Sequence, residues 1–573
     1  MGSTRKSSAL ILATAFALMA LIYGAVSLPR YGLTYDTPAL FYAGDRTLYW
    51  MEHPTVDGAL DFTRHEDPPG FKTRYPRIPA FEDPMHYPVL PGLVCAVTSS
   101  IFHDRLGLLR DTDGHHLGLV LLHAVGLFFF CVYLNRLLGP VASASGTAAL
   151  TLFPSALAHS FNNAKDWPCA EYYGLAVLAA GLGVVTGRAR HLLWAGVFLG
   201  VSLACKLNGI FVLPTFYLWL PIAFAFLHRG RRRMAPGVAA MSFAFPYVGG
   251  VVFVLLWPWL LQGGSAAASW DHLSDYIHHM VHFGVGDRRQ WTSYPVCALL
   301  FMTPPLVLGL ALVQLVYGRT RTDYRPAREA AAIGCLFLLW AGLPLLREAL
   351  PRSRYYDANR HFIEYVPGLC AMAGAGADRA VTAIRAACAG RGLSLRAESA
   401  IVAMAATLGL ICLVWPVVQY RPYEVTYYNS FIGGLGGAQR NLVFKDGPRP
   451  MGGEGDYWYS TTREAMAFAK SYLSETHAVG SCGPYGTQIN MNRGDVEKLT
   501  VTTEYRNLAA FDSASVVYAV PHPVHCKWST VRALERERPI LHRVEREGGL
   551  VYEVLGPRDG KEHPVVTPQK PED

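Results

Sequence analysis

The chain has 573 residues, of which 51% are hydrophobic and 16% charged, with a formal net charge of +8. That is more apolar material than one soluble core of this size uses, which excludes an ordinary soluble enzyme. No aromatic-basic module accompanies the positive charge, so nucleic-acid binding is excluded too.

The apolar residues fall in runs of about twenty, the length that crosses ~30 Å of hydrocarbon as a helix. The first run, residues 9–28, reads as a membrane span. Arg5 and Lys6 before it and Ala25-Val26-Ser27 near its end also suit a cleaved signal peptide, although the run is long for one and its removal would leave the first loop without its anchor. Residues 29–116 form a loop rich in proline, aromatic and acidic residues, too long for a simple connector. Inside it, Tyr87-Pro88-Val89-Leu90 opens an apolar stretch to Phe102 that reads as a juxtamembrane or re-entrant helix.

A transmembrane bundle over residues 117–418 comes next, with spans expected at 117–134, 141–158, 169–185, 192–204, 209–227, 236–261, 296–317, 330–346, 362–377 and 400–418. About eleven transmembrane helices result. Only Cys205-Lys206-Leu207-Asn208 separates the fifth from the sixth, where one long kinked helix is the alternative. Residues 419–573 change character, with an amphipathic helix at 462–473 and β-type runs at 515–520 and 550–555, and read as a small α/β domain. The fold class is thus a polytopic α-helical membrane protein with a small C-terminal extracytoplasmic α/β domain.

Short cytoplasmic loops retain Lys and Arg. With the N-terminus inside, Arg136, Arg188, Arg190 and the basic clusters at 229–233, 319–328 and 379–396 are cytoplasmic, and residues 29–116 and 419–573 lie outside an inner (plasma) membrane. Of the eleven cysteines most fall in predicted spans, and none has zinc-ligand spacing. Cys482 and Cys526 both lie in the outer tail, where a disulfide is permitted but not dictated.

Ionisable residues at span ends are costly and tend to mark sites. On the outer side they form four clusters: Tyr35-Asp36-Thr37 with Asp45, residues 159–166, residues 352–361, and residues 278–289 with His282 among them. Each has a structural reading beside the functional one. Asp36 suits a turn carboxylate, Lys165-Asp166 before Trp167-Pro168 suits a helix start, Arg352, Arg354 and Arg360 suit headgroup anchors, and the histidines suit an interfacial face.

Several segments match a known pattern in order. Gly32-Leu33-Thr34-Tyr35-Asp36-Thr37-Pro38, His86-Tyr87-Pro88-Val89-Leu90, His159-Ser160-Phe161-Asn162-Asn163-Ala164-Lys165-Asp166-Trp167-Pro168, Leu203-Ala204-Cys205-Lys206-Leu207-Asn208-Gly209, Tyr356-Asp357-Ala358-Asn359-Arg360-His361-Phe362 and the stretch from Pro422 to Gly434 resemble glycosyltransferase family 39. This is the dolichyl-phosphate-mannose-protein mannosyltransferase-like set of the GT-C superfamily, and the likeness is to its bacterial members. The resemblance implies a polyprenyl-phosphate sugar donor in the membrane lipid, a catalytic Asp36, and Asp166 at a metal or polar site near the donor phosphate, with Lys165, Lys206 and Arg360 beside it. It places Tyr35, His86, Asn163, Tyr356, His361 and His282 along the substrate cavity, and it implies a divalent cation, Mg or Mn, at Asp166. Thr37 departs from the family, whose pattern has a second acidic residue there. That departure puts a metal role of the pair in doubt and leaves a single carboxylate for proton transfer.

The expected reaction is an inverting transfer in which Asp36 takes the acceptor's proton and basic residues stabilise the departing phosphate. The acceptor is left open among protein, lipid and polysaccharide. The rival readings are a transporter or flippase for a lipid-linked substrate and a non-catalytic membrane scaffold.

Overall fold

A computed structural model describes residues 2–53, 55–56, 59–60, 71, 75, 87–227, 235–261, 265–286, 289–318, 324–354, 357–441, 455–472, 477–482, 499–503, 511–512, 514–521 and 526–559. Among these, seven helices are long and apolar enough to cross a bilayer: Ser8–Arg30, Asp111–Leu138, Asp166–Thr186, Leu207–Leu227, Pro236–Leu256, Ala327–Ala349 and Leu395–Tyr420. Two further apolar helix pairs are bent at a short break, Pro140–Thr151 turning by 63° into Pro154–Asn162 and Tyr294–Phe301 by 110° into Pro305–Tyr317. Both breaks fall at prolines, which lack the N–H that would continue the ladder. The chain is a multi-pass helical membrane protein.

Eleven spans were expected, and among the described residues length and composition alone qualify seven, or nine if each bent pair is one span. The expected span at 192–204 lies in the 15-residue helix Ala189–Leu203, which at 1.5 Å per residue reaches only ~22 Å. The one at 362–377 lies in the 26-residue helix Tyr365–Gly390, which is built largely of alanine and glycine and carries buried Asp378 and Arg379. Arg379 is satisfied there, its Nε donating to Gln314 Oε1 at 2.7 Å and its Nη2 to the Gly318 carbonyl at 3.1 Å. Between the helices Ala189–Leu203 and Val212–Leu227 the chain does not run through as one kinked helix. Lys206 is fully extended, at φ −163° and ψ 146°, before a 3-10 turn over Leu207–Phe211.

Three features position the site. The Asp166–Thr186 helix is buried almost throughout and packs against the helices Asp111–Leu138 and Ala189–Leu203. The apolar stretch after Tyr87 forms the helix Leu90–Ser99, which lies against the helix Thr37–Glu52. The two meet at glycines so closely that a Cβ on Gly44 would stand 2.0 Å from the Gly92 carbonyl oxygen.

The tail folds around a five-stranded sheet in the order Leu499–Thr503, His477–Cys482, Val516–Ala519, Gly549–Leu555, Ile540–Arg546. The first three strands run parallel and the last two pair antiparallel. Cys482 and Cys526 are joined with their Cα atoms 5.3 Å apart, a normal disulfide separation. The tail is docked on the first loop. Gly32 N donates to the Ser460 carbonyl at 3.2 Å and Tyr35 N to that of Trp458 at 3.1 Å, while Arg463 Nη1 reaches Asp113 Oδ1 at 2.6 Å.

Candidate active site

The residues that precede or follow the apolar helices converge on one ion-pair network. Asp36 is the residue before the helix Thr37–Glu52, and its side chain makes no capping bond to that helix. Its Oδ2 lies 2.8 Å from Lys165 Nζ and 2.7 Å from Arg360 Nη1. Thr34 and Thr37 hold this loop in place, each hydroxyl donating to the Asn162 carbonyl, at 3.0 and 2.9 Å. Thr37 is therefore a tether to the neighbouring helix end.

Asn163 makes the turn that comes next. Its Oδ1 accepts from the backbone N–H of Lys165 at 3.1 Å and of Asp166 at 2.7 Å, which fixes the first turn of the Asp166–Thr186 helix. Asp166 is thereby released from the capping role it was open to. Its Oδ1 takes Lys206 Nζ at 2.5 Å, and its Oδ2 accepts from Asn163 Nδ2 at 3.2 Å and from Arg360 Nη1 at 3.4 Å. Lys206 reaches it because the extended break between two helices projects its side chain out of the helical register.

Arg360 is the hub. It is buried, spans Asp36 and Asp166 with Nη1, and donates with Nη2 to Asp357 Oδ2 at 2.7 Å. Its guanidinium lies 4.6 Å from the Trp458 ring centroid, a cation–π contact contributed by the tail. Arg360 does not behave as a snorkelling headgroup anchor, since its guanidinium is held by three carboxylates, and Lys165 Nζ also sits in this network, 5.3 Å from the Tyr87 ring centre.

The electrostatics result from burial among paired charges. Burial pushes the Asp36 carboxyl up, but Lys165 and Arg360 outweigh it and hold the group below the usual carboxylate range. Asp357 goes the other way. Burial and the nearby Asp36 and Asp166 charges overcome Arg360, and its carboxyl is pushed up to about 6. Burial and the positive charges of Arg360 and Lys206 hold the His361 imidazole well below its ordinary value, so it is neutral.

Of the other expected cavity residues, His361 joins the network with Nε2 3.2 Å from Arg360 Nη2, and Asn163 builds it. Tyr35 stands at its edge, half-buried, with its ring 6.4 Å from that of Tyr459. His86 and Tyr356 lie outside the described residues. His282 is not brought in. It is exposed on the amphipathic helix Ala266–Gly284, its ring 4.1 Å from that of His278, which matches the interfacial reading of that cluster.

The resemblance also implied a divalent cation at Asp166, and the donor set does not fit one. Both carboxylate oxygens already face cationic side chains, and among the described residues no group of three His, Cys, Asp or Glu is placed to hold a metal ion.

Sequence reasoning gave no role to Asp357, Tyr457 or Trp458. Asp357 and Ala358 both sit at φ 54°, a left-handed pair that swings the aspartate back onto Arg360. The only sequence signal for it was the three-residue spacing from Arg360. Tyr457 donates or accepts at 3.0 Å from His159 Nε2, which leaves His159 Nδ1 3.2 Å from Asn163 Nδ2.

No family model and no curated protein matches the chain. Among solved structures it is similar to ArnT from Cupriavidus metallidurans bound to undecaprenyl phosphate, at 14% identity over 94% of this chain and 97% of that one, with a TM-score of 0.48. The same protein in the apo state gives 14% and 0.47, with the same shares covered. The oligosaccharyltransferase of Archaeoglobus fulgidus in the apo form is similar at 12% identity over 90% of this chain and 70% of that one, with a TM-score of 0.47.

Proposed function

We propose that this protein is a membrane glycosyltransferase of the GT-C type that moves a sugar from a polyprenyl phosphate to an acceptor hydroxyl, with inversion. The observation that carries this reading is the placing of Lys165, Lys206 and Arg360 around Asp36 and Asp166 at one end of the apolar helices. A lipid-linked phosphate sits at that boundary while its tail stays in hydrocarbon, and the three cations supply the charge that a departing phosphate develops.

The same pairing sets the order of events. With Lys165 and Arg360 on its Oδ2, Asp36 is ionised but a poor base. A donor phosphate competes for both cations, and as they turn to it the carboxylate gains proton affinity. Asp36 then accepts the proton of the acceptor hydroxyl as that oxygen attacks the anomeric carbon, and the bond to the phosphate oxygen breaks. The base is thus activated only when the donor is bound, which guards the donor against water.

The test is transfer of radiolabelled sugar from polyprenyl-phosphate donors by the purified protein, with release of free polyprenyl phosphate as readout. Asp36→Asn is expected to abolish release while donor binding persists; unchanged turnover would overturn the base assignment. A flippase releases no free lipid phosphate from any donor, and that result would favour the transporter reading.

A further inference from the structure

The end of the bundle opposite the network carries a second concave site. The helix Asp166–Thr186 begins in the network and, at 21 residues, reaches ~30 Å to the other face, the thickness of the hydrocarbon. There it meets the end of the helix Asp111–Leu138 and the start of the helix Ala189–Leu203, and the three enclose a cavity of about 380 Å³ lined by Arg136, Leu182, Thr186, Arg188, Arg190 and His191.

Among the described residues three arginines line it and no carboxylate does. Among the described residues the side chains of Arg136, Arg188 and Arg190 make no hydrogen bond or ion pair. His191 is 4% exposed, stands edge-on to Tyr133, and its Nδ1 has no hydrogen-bond partner among the described residues. Retention of arginines by short loops explains the sign of the charge but not a cavity with a buried, unsatisfied imidazole at its wall.

We infer that this cavity binds the phosphate of an anionic membrane phospholipid, with Arg136, Arg188 and Arg190 around the phosphate and His191 as a hydrogen-bonding partner. A lipid, and not a soluble anion, is the occupant because the cavity lies at the hydrocarbon boundary. Leu193 and Trp194 beside it are 44% and 47% exposed, and exposed Trp is typical of the headgroup layer. Three cations with no partner among the described residues favour a headgroup with net negative charge over a zwitterionic one.

The full chain in neutral detergent is titrated with dioleoylphosphatidylglycerol, dioleoylphosphatidylcholine or inorganic phosphate, and the rise in Tm gives an apparent affinity for each. Phosphatidylglycerol is expected to bind saturably and about tenfold or more tighter than phosphatidylcholine, with that preference lost in the double variant R188Q/R190Q. The single variant R190Q, at an exposed position, is expected to lose part of it and covers the case in which the double variant does not fold. Equal response to both lipids, or a preference intact in a folded variant, overturns the proposal. A response to inorganic phosphate as strong as that to phosphatidylglycerol overturns the lipid assignment.

Discussion

Arg360 is the residue on which the network's geometry depends most, because one planar group serves three carboxylates at once. A lysine keeps the charge but presents a single nitrogen and cannot bridge Asp36, Asp166 and Asp357 together. Arg360→Lys is therefore expected to lower kcat by roughly a hundredfold or more with a smaller change in KM, measured by transfer of labelled sugar; wild-type kcat would show that the bridging is dispensable. Asp357 makes a separate prediction. Its carboxyl titrates near 6 when folded, above the ~3.9 of an unfolded aspartate, so folding favours its protonated form. Stability attributable to this group is present below about pH 4 and is lost as pH rises toward 6. Relative to wild type, Asp357→Asn should gain stability between pH 4 and pH 7, read as the difference in Tm across that range. A difference that does not vary with pH would mean that the carboxyl is not held protonated. Much of this network was legible in the sequence, since Asp36, Lys165, Asp166 and Arg360 all stand where an apolar run meets polar residues. Asp357 was not, because its role rests on two left-handed residues that composition does not announce. Trp458 was not either, since it meets Arg360 from nearly a hundred residues away along the chain.

At the level of elements, the position of Asp36 depends on how its helix packs. The helix Thr37–Glu52 approaches Leu90–Ser99 only because neither carries a side chain at Gly44 and Gly92. Gly44→Ala places a methyl group 2.0 Å from the Gly92 carbonyl, so the helices must part and the loop bearing Asp36 moves with them. The expected outcome is a loss of about 1–3 kcal/mol, seen as a lower Tm, together with lost transfer activity. Gly250, in the helix Pro236–Leu256, has nothing within 4 Å of a built Cβ and serves as the control. Gly250→Ala should leave both properties as they are, and equal damage from the two changes would remove the packing argument. Helix breaks were partly readable for the same local reasons, as Pro154 and the Pro304-Pro305 pair sit inside apolar runs. The short length of Ala189–Leu203 was not, because an apolar run does not reveal where its helix ends. His282 was drawn toward the site by its nearness to a span, although its helix is amphipathic and turns that face outward.

For the whole molecule, the two ends of the bundle carry different chemistry. The helix Tyr365–Gly390 starts just after Arg360 and is 26 residues long, so at 1.5 Å per residue it ends ~39 Å from the network. Beyond it, Arg391 and Arg396 are exposed, as are Arg188 and Arg190 at the end of the Asp166–Thr186 helix. Moving an arginine through the centre of a bilayer costs about 2.5–3.5 kcal/mol on insertion scales, so this end is expected to stay on the side of synthesis and the network to face the other compartment. The consequence is measurable with single cysteines in place of Glu52, exposed on the network side, and of Arg391, exposed at the far end. A membrane-impermeant maleimide added to intact cells is expected to label Glu52→Cys, and to label Arg391→Cys only after permeabilisation. The reverse pattern would invert the orientation and leave the network intact on the cytoplasmic face. Labelling of both from one compartment would break the link between Arg360 and the helix after it, and the network could not then be built from these loops.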